Sequence, residues 1–220
     1  MGYAMIIVAG GGKGGSGKST IAIHLAIMRA QAGHDVLLVD ADDQETAADF
    51  TVLRNATVEG GAGYTCIKLT GPAVRTEIER IAPKYDDVIV DAGGRDTVSQ
   101  RAALVLAQVL LVPFVPRSFD IWTLDTVATL IQEIRTVNPG LRAFAFINRG
   151  DSSGTDNTEA GQLLQEKETI AYLDTPIVSR KAFGKAASQG CAVTELHPSD
   201  AKAKREITAL YDAIFNDTGA

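Results

Sequence analysis

Residues 10–20 read GGGKGGSGKST, and this stretch near the start of the chain decides the fold. Residues 12–19 satisfy the pattern G-x-x-x-x-G-K-[ST], with an apolar run before them and a helical pattern after them. In that context the glycines allow successive backbone N–H groups to turn inward around a phosphate, and the N-terminus of the following helix adds positive charge. The stretch therefore predicts a phosphate-binding loop, whose contacts with the nucleotide we assign to Gly12, Gly14, Gly15, Gly17, Lys18, Ser19 and Thr20.

Two lysines lie within this loop. Lys18 is placed to contact the β- and γ-phosphates of the nucleotide, and the hydroxyl of Ser19 is placed to bind Mg²⁺. Lys13 is a second lysine, which a simple loop of this type does not need. From the residues alone, Lys13 either contacts a neighbouring nucleotide or is an ordinary solvated charge.

Apolar runs and helical patterns alternate along the chain. Buried strands are indicated by DVLLVD at residues 35–40, DVIVD at residues 87–91 and AFAFIN at residues 143–148. Strands that are apolar on both faces and separated by helices are typical of a mostly parallel sheet with helices on both sides. We therefore predict a single α/β domain that spans residues 1–220.

The last third of the chain contains fewer apolar runs. Residues 149–158 are polar and rich in turn formers, and a helix is predicted over residues 161–172. A short strand is predicted at residues 176–178. The closing helix is predicted over residues 199–215, with Ser199 as its N-cap.

Composition and charge exclude several classes of protein. The chain has 220 residues, of which 45% are hydrophobic, so it is neither disordered nor fibrous. Its net charge of −6 argues against a dedicated nucleic-acid coat protein, although it leaves room for a local basic patch. The longest apolar run is shorter than the ~20 residues of a membrane span, and no export signal is visible. We therefore expect a cytoplasmic protein.

The segment KGGSGKST resembles the deviant Walker A motif, K-G-G-x-G-K-[ST], of the ParA/MinD family of P-loop ATPases. The resemblance implies ATP and ADP as ligands, Mg²⁺ as cofactor, and an ATP-dependent homodimer with the nucleotides sandwiched between subunits. In this family the early lysine reaches the partner's ATP, a role that falls to Lys13. The pattern D-x-D-P-Q matches residues 40–44, which implies that Asp40 joins the outer shell of Mg²⁺ and that Asp42 orients the attacking water.

Asp91 ends the predicted strand DVIVD and matches a Walker B pattern, which predicts that it holds Mg²⁺ directly or through water. The chain departs from the resemblance in two places. Asp43 stands where the family often has proline, and residues 92–94 read AGG where the family often has T-P-P or L-P-P. From the residues alone, the acidic cluster at residues 40–43 could also cap the next helix.

The resemblance extends to the nucleotide base and to DNA. Asn148 is expected to read the adenine edge, because an amide offers both a donor and an acceptor, and Pro176 is expected to pack on the base. The ParA proteins bind DNA nonspecifically through basic residues of the C-terminal region once ATP has assembled the dimer. Here the candidates form two clusters, which could also be solvated helix faces: Arg180, Lys181 and Lys185, and then Lys202, Lys204 and Arg205.

The phosphate-binding motif begins within a dozen residues of the start, so the sequence most resembles short ParA-type proteins without a helix-turn-helix domain. The leading hypothesis is a slow ATPase that segregates plasmid DNA and associates with the nucleoid when ATP is bound. A cargo- or centromere-bound activator would stimulate it, without a membrane partner. Alternative cargoes are chemoreceptor arrays, carboxysomes and conjugative DNA complexes. A different class is a biosynthetic ligase of the dethiobiotin synthetase or cobyrinate amidase kind.

Overall fold

The chain forms an open, twisted α/β sheet with helices on both faces, seen here in a computed structural model. The structure describes residues 4–12, 14–94, 96–116, 121–153 and 155–216, and within these it leaves out the side chains of residues 121 and 122. The strands are β1 Met5–Ala9, β2 Val36–Ala41, β3 Thr65–Lys68, β4 Asp87–Ala92, β5 Val109–Phe114, β6 Arg142–Gly150, β7 Ala171–Tyr172 and β8 Ile177–Val178. The helices are α1 Lys18–Gln31, α2 Thr46–Thr57, α3 Ala73–Ile81, α4 Val98–Leu104, α5 Ile121–Arg135, α6 Asp156–Gln165, α7 Lys181–Ser188 and α8 Ala201–Phe215.

The strand order is β3-β2-β4-β1-β5-β6-β7, and β8 pairs separately with β6. Each described strand pair is parallel. Since β1 lies at the centre, with β4 on one side and β5 on the other, the loop that follows β1 opens at the middle of the carboxyl edge of the sheet. Open α/β sheets bind ligands at this edge. The predicted fold class is therefore confirmed.

Alternating side chains of the central strands pack into two separate hydrophobic cores, one on each face of the sheet. Along β1, Val8 packs with the side of the sheet that carries α3, α4, α5 and α6. Ile7 and Ala9 pack with the opposite side, where α1, α7 and α8 contribute most of the apolar side chains. Burial of both faces explains why the strands read as continuous apolar runs.

The predicted helix over residues 161–172 is wrong. Helix α6 begins and ends earlier, and Ala171 and Tyr172 form β7, which pairs with Phe144 and Ala145 of β6. The helical pattern in this segment is local, whereas the pairing with β6 is a tertiary interaction that the local pattern does not show. Long-range strand pairing therefore overrides helix propensity at this edge of the sheet.

Two helix boundaries also differ from the sequence prediction. Asp200, and not Ser199, is the N-cap of α8, because its carboxylate accepts hydrogen bonds from the backbone N–H groups of Lys202 and Ala203 at 3.1 and 3.0 Å. Both residue types are good caps, so the sequence does not distinguish them. The pattern over residues 45–53 predicts a helix followed by a loop at residues 55–63, but α2 continues to Thr57.

Candidate nucleotide-binding site

The loop between β1 and α1 has the backbone geometry of a phosphate cradle. Gly12, Gly15 and Gly17 have φ of 64°, 79° and 94°, a region that favours glycine. Gly17 is also the N-cap of α1, and a Cβ added there would overlap the side-chain amide of Asn148. These three glycines are therefore favoured by the backbone conformation itself, apart from any contact with phosphate. Lys13 lies outside the described residues.

Lys18 is the first residue of α1, and its side chain is almost wholly buried. Burial lowers the pKa of Lys18, while the nearby carboxylates of Asp91 and Asp42 oppose the shift. The ammonium group is thus held near the helix N-terminus, between the loop and two acidic strand ends. A phosphate group entering the cradle would add a further negative charge to balance it.

Asp91 lies next to this lysine at the end of β4. In the sheet register it is the neighbour of Ala9 on β1 and of Asp40 on β2. Its side chain is fully buried, and neither carboxylate oxygen has a partner in hydrogen-bonding geometry among the described residues. Burial raises the pKa of Asp91 to about 7; Asp40 and Asp42 add to the increase, and the Ser19 hydroxyl and Lys18 oppose it.

A divalent cation fits the residues at this point. Neither oxygen of Asp91 has a hydrogen-bond partner among the described residues, and the Ser19 hydroxyl is close enough to lower the pKa of Asp91. Carboxylate and hydroxyl oxygens are hard ligands that suit Mg²⁺. Within the described residues no group of three or more His, Cys, Asp or Glu side chains could hold a metal alone. That is expected where Mg²⁺ takes one or two protein oxygens and completes its shell with phosphates and water.

The other two predicted carboxylates have different surroundings. Asp40 is buried, and its oxygens accept hydrogen bonds from the N–H groups of Ala48 and Asp42 at 2.8 and 3.2 Å. Asp40 thus ties β2 to the first turn of α2, as the capping alternative predicts. Asp42 is half-buried, accepts a hydrogen bond from the N–H of Gln44 at 3.1 Å, and lies against Gly93 of the loop after β4.

A cavity of about 250 Å³ adjoins the loop on the side of α7. Asn148 lies on its wall, where its Nδ2 donates a hydrogen bond of 2.6 Å to the carbonyl of Ser16 and its Oδ1 keeps its acceptor capacity. Pro176 does not line this cavity, although Ile177 and Val178 do. The complete lining is Gly17, Thr20, Ile21, Asn148, Arg149, Ile177, Val178, Ser179, Arg180, Phe183, Gly184 and Ala187.

Two residues that the sequence does not predict as site residues also form hydrogen bonds to the backbone of the loop. The side-chain oxygen of Gln100, on α4, accepts a hydrogen bond from the N–H of Gly11 at 2.9 Å. Arg149 donates from Nη1 to the carbonyl of Gly15 at 2.8 Å. Arg149 directly follows Asn148 in the segment FINR, so its position at a strand end was visible, but its backbone conformation was not. Nothing in the sequence pattern indicates Gln100.

The two predicted basic clusters meet in space. Lys181 and Lys185 of α7 and Lys202 of α8 line one open groove. Lys204 and Arg205 are exposed on α8 but do not line it. Arg180, the remaining member of the first cluster, does not line the groove, and its guanidinium forms an ion pair with Glu206.

Arg180 is held away from this groove by several contacts. Its Nε and Nη2 donate to the carboxylate of Glu206, which also accepts the backbone N–H of Val178 at 3.1 Å. The ion pair raises the pKa of Arg180. Because Arg180 also lines the cavity beside Asn148, the structure connects it with that cavity more closely than with the lysine groove.

No helix among the described residues is long and apolar enough to cross a membrane.

Comparisons with known proteins agree with this geometry. The sequence profile of the CobQ/CobB/MinD/ParA nucleotide binding domain matches residues 6–193. Proteins named "maintenance of carboxysome distribution protein A" are 24% identical in Halothiobacillus neapolitanus and 28% identical in Gloeobacter kilaueensis, and the matches cover 92% and 98% of this chain and 93% and 94% of theirs. A plasmid partition protein from Borrelia burgdorferi bound to AMPPNP has the same fold, with a TM-score of 0.76 at 18% identity over 97% of this chain and 99% of that one.

Proposed function

The chain belongs to the CobQ/CobB/MinD/ParA nucleotide-binding domain family, and we propose that it is a ParA-type positioning ATPase. In this proposal ATP assembles a sandwich homodimer, the dimer binds double-stranded DNA without sequence preference, and hydrolysis releases it. A protein bound to the cargo stimulates the slow basal hydrolysis. The family also includes CobQ and CobB, so membership alone does not separate this function from the biosynthetic alternative.

The observation that carries the proposal is the position of α7. One part of this helix, with Phe183, Gly184 and Ala187, lines the cavity beside Asn148. We assign this cavity to the nucleotide and call it the nucleotide cavity. The same helix contributes Lys181 and Lys185 to the basic groove. A helix shared by both sites gives nucleotide binding a direct physical route to the surface that would contact DNA. A biosynthetic ligase has no need of the basic groove.

Residues of the loop, of α1 and of the strand ends would have separate roles in hydrolysis. Lys18 and the loop N–H groups would bind the phosphates, and Ser19 and Asp91 would hold Mg²⁺, which would supply positive charge against the phosphates. Asp42 would orient the attacking water, and it lies against Gly93 of the loop after β4. Phosphoryl transfer depends mainly on positioning and charge stabilisation, so no strong base is needed. Lys13 contributes its charge to the partner's nucleotide.

Dimer formation and turnover test this proposal. Analytical ultracentrifugation of the wild-type protein should show a monomer with ADP and a dimer with ATP and Mg²⁺. Lys18→Ala should bind no nucleotide and stay monomeric, whereas Lys13→Ala should bind ATP but neither dimerise nor hydrolyse it. A wild-type protein that hydrolyses ATP as a monomer, or normal turnover in Lys13→Ala, would contradict the sandwich mechanism.

The cargo we favour is plasmid DNA, with the protein located in the cytoplasm and on the nucleoid when ATP is bound. Carboxysomes are the second candidate, because the relatives in H. neapolitanus and G. kilaueensis carry the name of a carboxysome distribution protein. Deletion of the gene in its host separates the two. Loss of a plasmid over generations supports the first cargo, and clustering of carboxysomes with stable plasmids supports the second.

A further inference from the structure

Arg149 has an unusual backbone for its residue type. Its φ is +54°, and among the described residues only Glu45 shares a positive φ without being glycine. The register of β6 against β8 shifts at the same point, since Asn148 pairs with Ile177 and Gly150 with Val178. Bulges of this kind redirect a side chain near a functional site, and a strained residue persists only where its surroundings fix it.

The redirected side chain reaches the backbone of the phosphate-binding loop. Arg149 donates to the carbonyl of Gly15 at 2.8 Å, and the preceding residue, Asn148, donates to the carbonyl of Ser16 at 2.6 Å. Two consecutive strand-end residues therefore hold two consecutive peptide groups of the loop. In a planar trans peptide the C=O and N–H bonds point in opposite directions. Because each carbonyl is held by a side chain, the N–H group of the same peptide, on Ser16 and on Gly17, is fixed on the opposite side of that peptide.

We propose that Arg149 is a positioning residue for the nucleotide phosphates, which acts by holding the Gly15–Ser16 peptide so that its N–H group faces the phosphate site. The inference rests on the proposed nucleotide-binding function. In this role Arg149 acts through its hydrogen bond to the Gly15 carbonyl and not through a contact with a phosphate. Orienting N–H groups before the ligand arrives avoids the cost of ordering a glycine-rich segment during binding.

The surroundings of Arg149 define the alternative role that a test must separate. Arg149 lines the base cavity and also a second cleft, bounded by Gly14 and Phe114, on the other side of the loop. A side chain in that position could instead contact the adenosine part of the ligand. The two roles predict different losses, because a phosphate-positioning residue affects the β-phosphate interaction and a base contact affects all adenine nucleotides alike.

The test compares the binding of ADP and AMP to the full chain by isothermal titration calorimetry. Arg149→Gly removes the guanidinium while relieving the positive φ, so the fold should be retained. A loop whose N–H group no longer faces the β-phosphate loses a hydrogen bond to a charged group, so we expect the affinity for ADP to fall roughly tenfold. The affinity for AMP, which lacks the β-phosphate, should change by less than about twofold.

Arg142→Ala is the matched control, because it removes an exposed arginine from the opposite end of the same strand and makes the same change in net charge. It should leave the affinity for ADP unchanged. Arg149→Asn, a residue type that tolerates positive φ, should behave as Arg149→Gly does. Thermal unfolding without nucleotide checks that each variant is folded.

Three results would overturn the proposal. Unchanged ADP affinity in folded Arg149→Gly would show that the loop needs no clamp. Equal losses for ADP and AMP would assign Arg149 to the base. An equal loss of ADP affinity in Arg142→Ala would show that the change in net charge alone explains the effect. A wild-type protein that binds no ADP would instead refute the proposed function, and this inference with it.

Discussion

His24 is a buried residue whose contacts support one wall of the cavity beside Asn148. The ring lies on α1, fully buried, and contacts Phe183 of the nucleotide cavity, with ring centroids 5.4 Å apart. Its Nδ1 donates to the carbonyl of Thr20 at 2.7 Å, and its Nε2 accepts the N–H of Val193 at 3.1 Å. One nitrogen must be a donor and the other an acceptor, so the contacts fix a neutral ring.

This geometry gives His24 a testable effect on stability. Burial lowers the pKa of His24 to about 4, below its ordinary value of 6.5. The unfolded chain therefore binds a proton that the folded chain rejects, so stability is complete above pH 6.5 and falls as the pH drops toward 4. The loss should reach about 3 kcal/mol.

Urea unfolding between pH 7 and pH 4 measures this loss, with His24→Gln as the comparison. Glutamine keeps a donor and an acceptor but does not titrate in this range. The wild-type free energy of unfolding should fall more steeply with decreasing pH than that of the variant. Parallel curves would show that His24 binds protons equally in both states.

At the residue scale, the sequence predicts the parts of the site that a motif fixes. The loop glycines, Lys18 and Asp91 follow from local spacing, because a strand, a tight loop and a helix must succeed one another there. Gln100 and Arg149 could not be predicted in this way, because they reach the loop from elements 89 and 134 residues away along the chain. Their contacts depend on tertiary packing.

Among the elements, α7 is the one that both proposed sites share. Gly184 lies within this helix on the wall of the nucleotide cavity, and a Cβ added there would meet no atom within 4 Å. A glycine in a helix interior costs up to about 1 kcal/mol relative to alanine. The open space beside Gly184 is consistent with room left for a ligand.

Substitutions at Gly184 test that interpretation. Gly184→Leu should fill part of the cavity and lower the affinities for ADP and AMP together, by roughly tenfold or more, since about 1.4 kcal/mol corresponds to tenfold. Gly184→Ala is the control, which should raise the free energy of unfolding by up to about 1 kcal/mol and leave binding nearly unchanged. Calorimetric titrations and thermal unfolding give both readouts, and full nucleotide affinity in Gly184→Leu would place the base elsewhere.

Element prediction succeeded where one local signal dominated. The strands β2, β4 and β6 are apolar runs in the sequence, and each is preceded and followed along the chain by a helix. It failed at β7, a strand of two residues that exists only through its pairing with β6. The strand β8 is equally short, yet the sequence predicts it at residues 176–178. The pattern over residues 161–172 instead favours a helix, so only the assembled sheet reveals β7.

At the scale of the whole molecule, folding brings together basic residues that are far apart in the sequence. Lys181 and Lys202 are 21 positions apart in the chain, yet both line the groove between α7 and α8. The net charge of −6 conceals this local basic surface. A two-fold axis in an ATP-dependent dimer would duplicate the groove and double the number of phosphates within reach.

Charge reversal in the groove should therefore weaken DNA binding without affecting assembly. Lys181→Glu should retain the ATP-dependent dimer and lower the slope of log affinity against log salt by about 2, since each subunit loses one phosphate contact worth about 0.9. Lys84→Glu, an exposed lysine in the 3₁₀ turn before β4, is the matched control. Fluorescence anisotropy with a random-sequence duplex measures the slope, and identical slopes in both variants would exclude the groove from DNA contact.

The measurement that tests the central claim most directly is DNA binding by the wild-type protein with no nucleotide, with ADP and with ATP and Mg²⁺, across a salt series. We expect binding with ATP alone, steep weakening with salt, and equal affinity for duplexes of unrelated sequence. Absence of binding at low salt, under conditions where ultracentrifugation shows the ATP-bound dimer, would contradict the proposal that this protein positions its cargo on DNA.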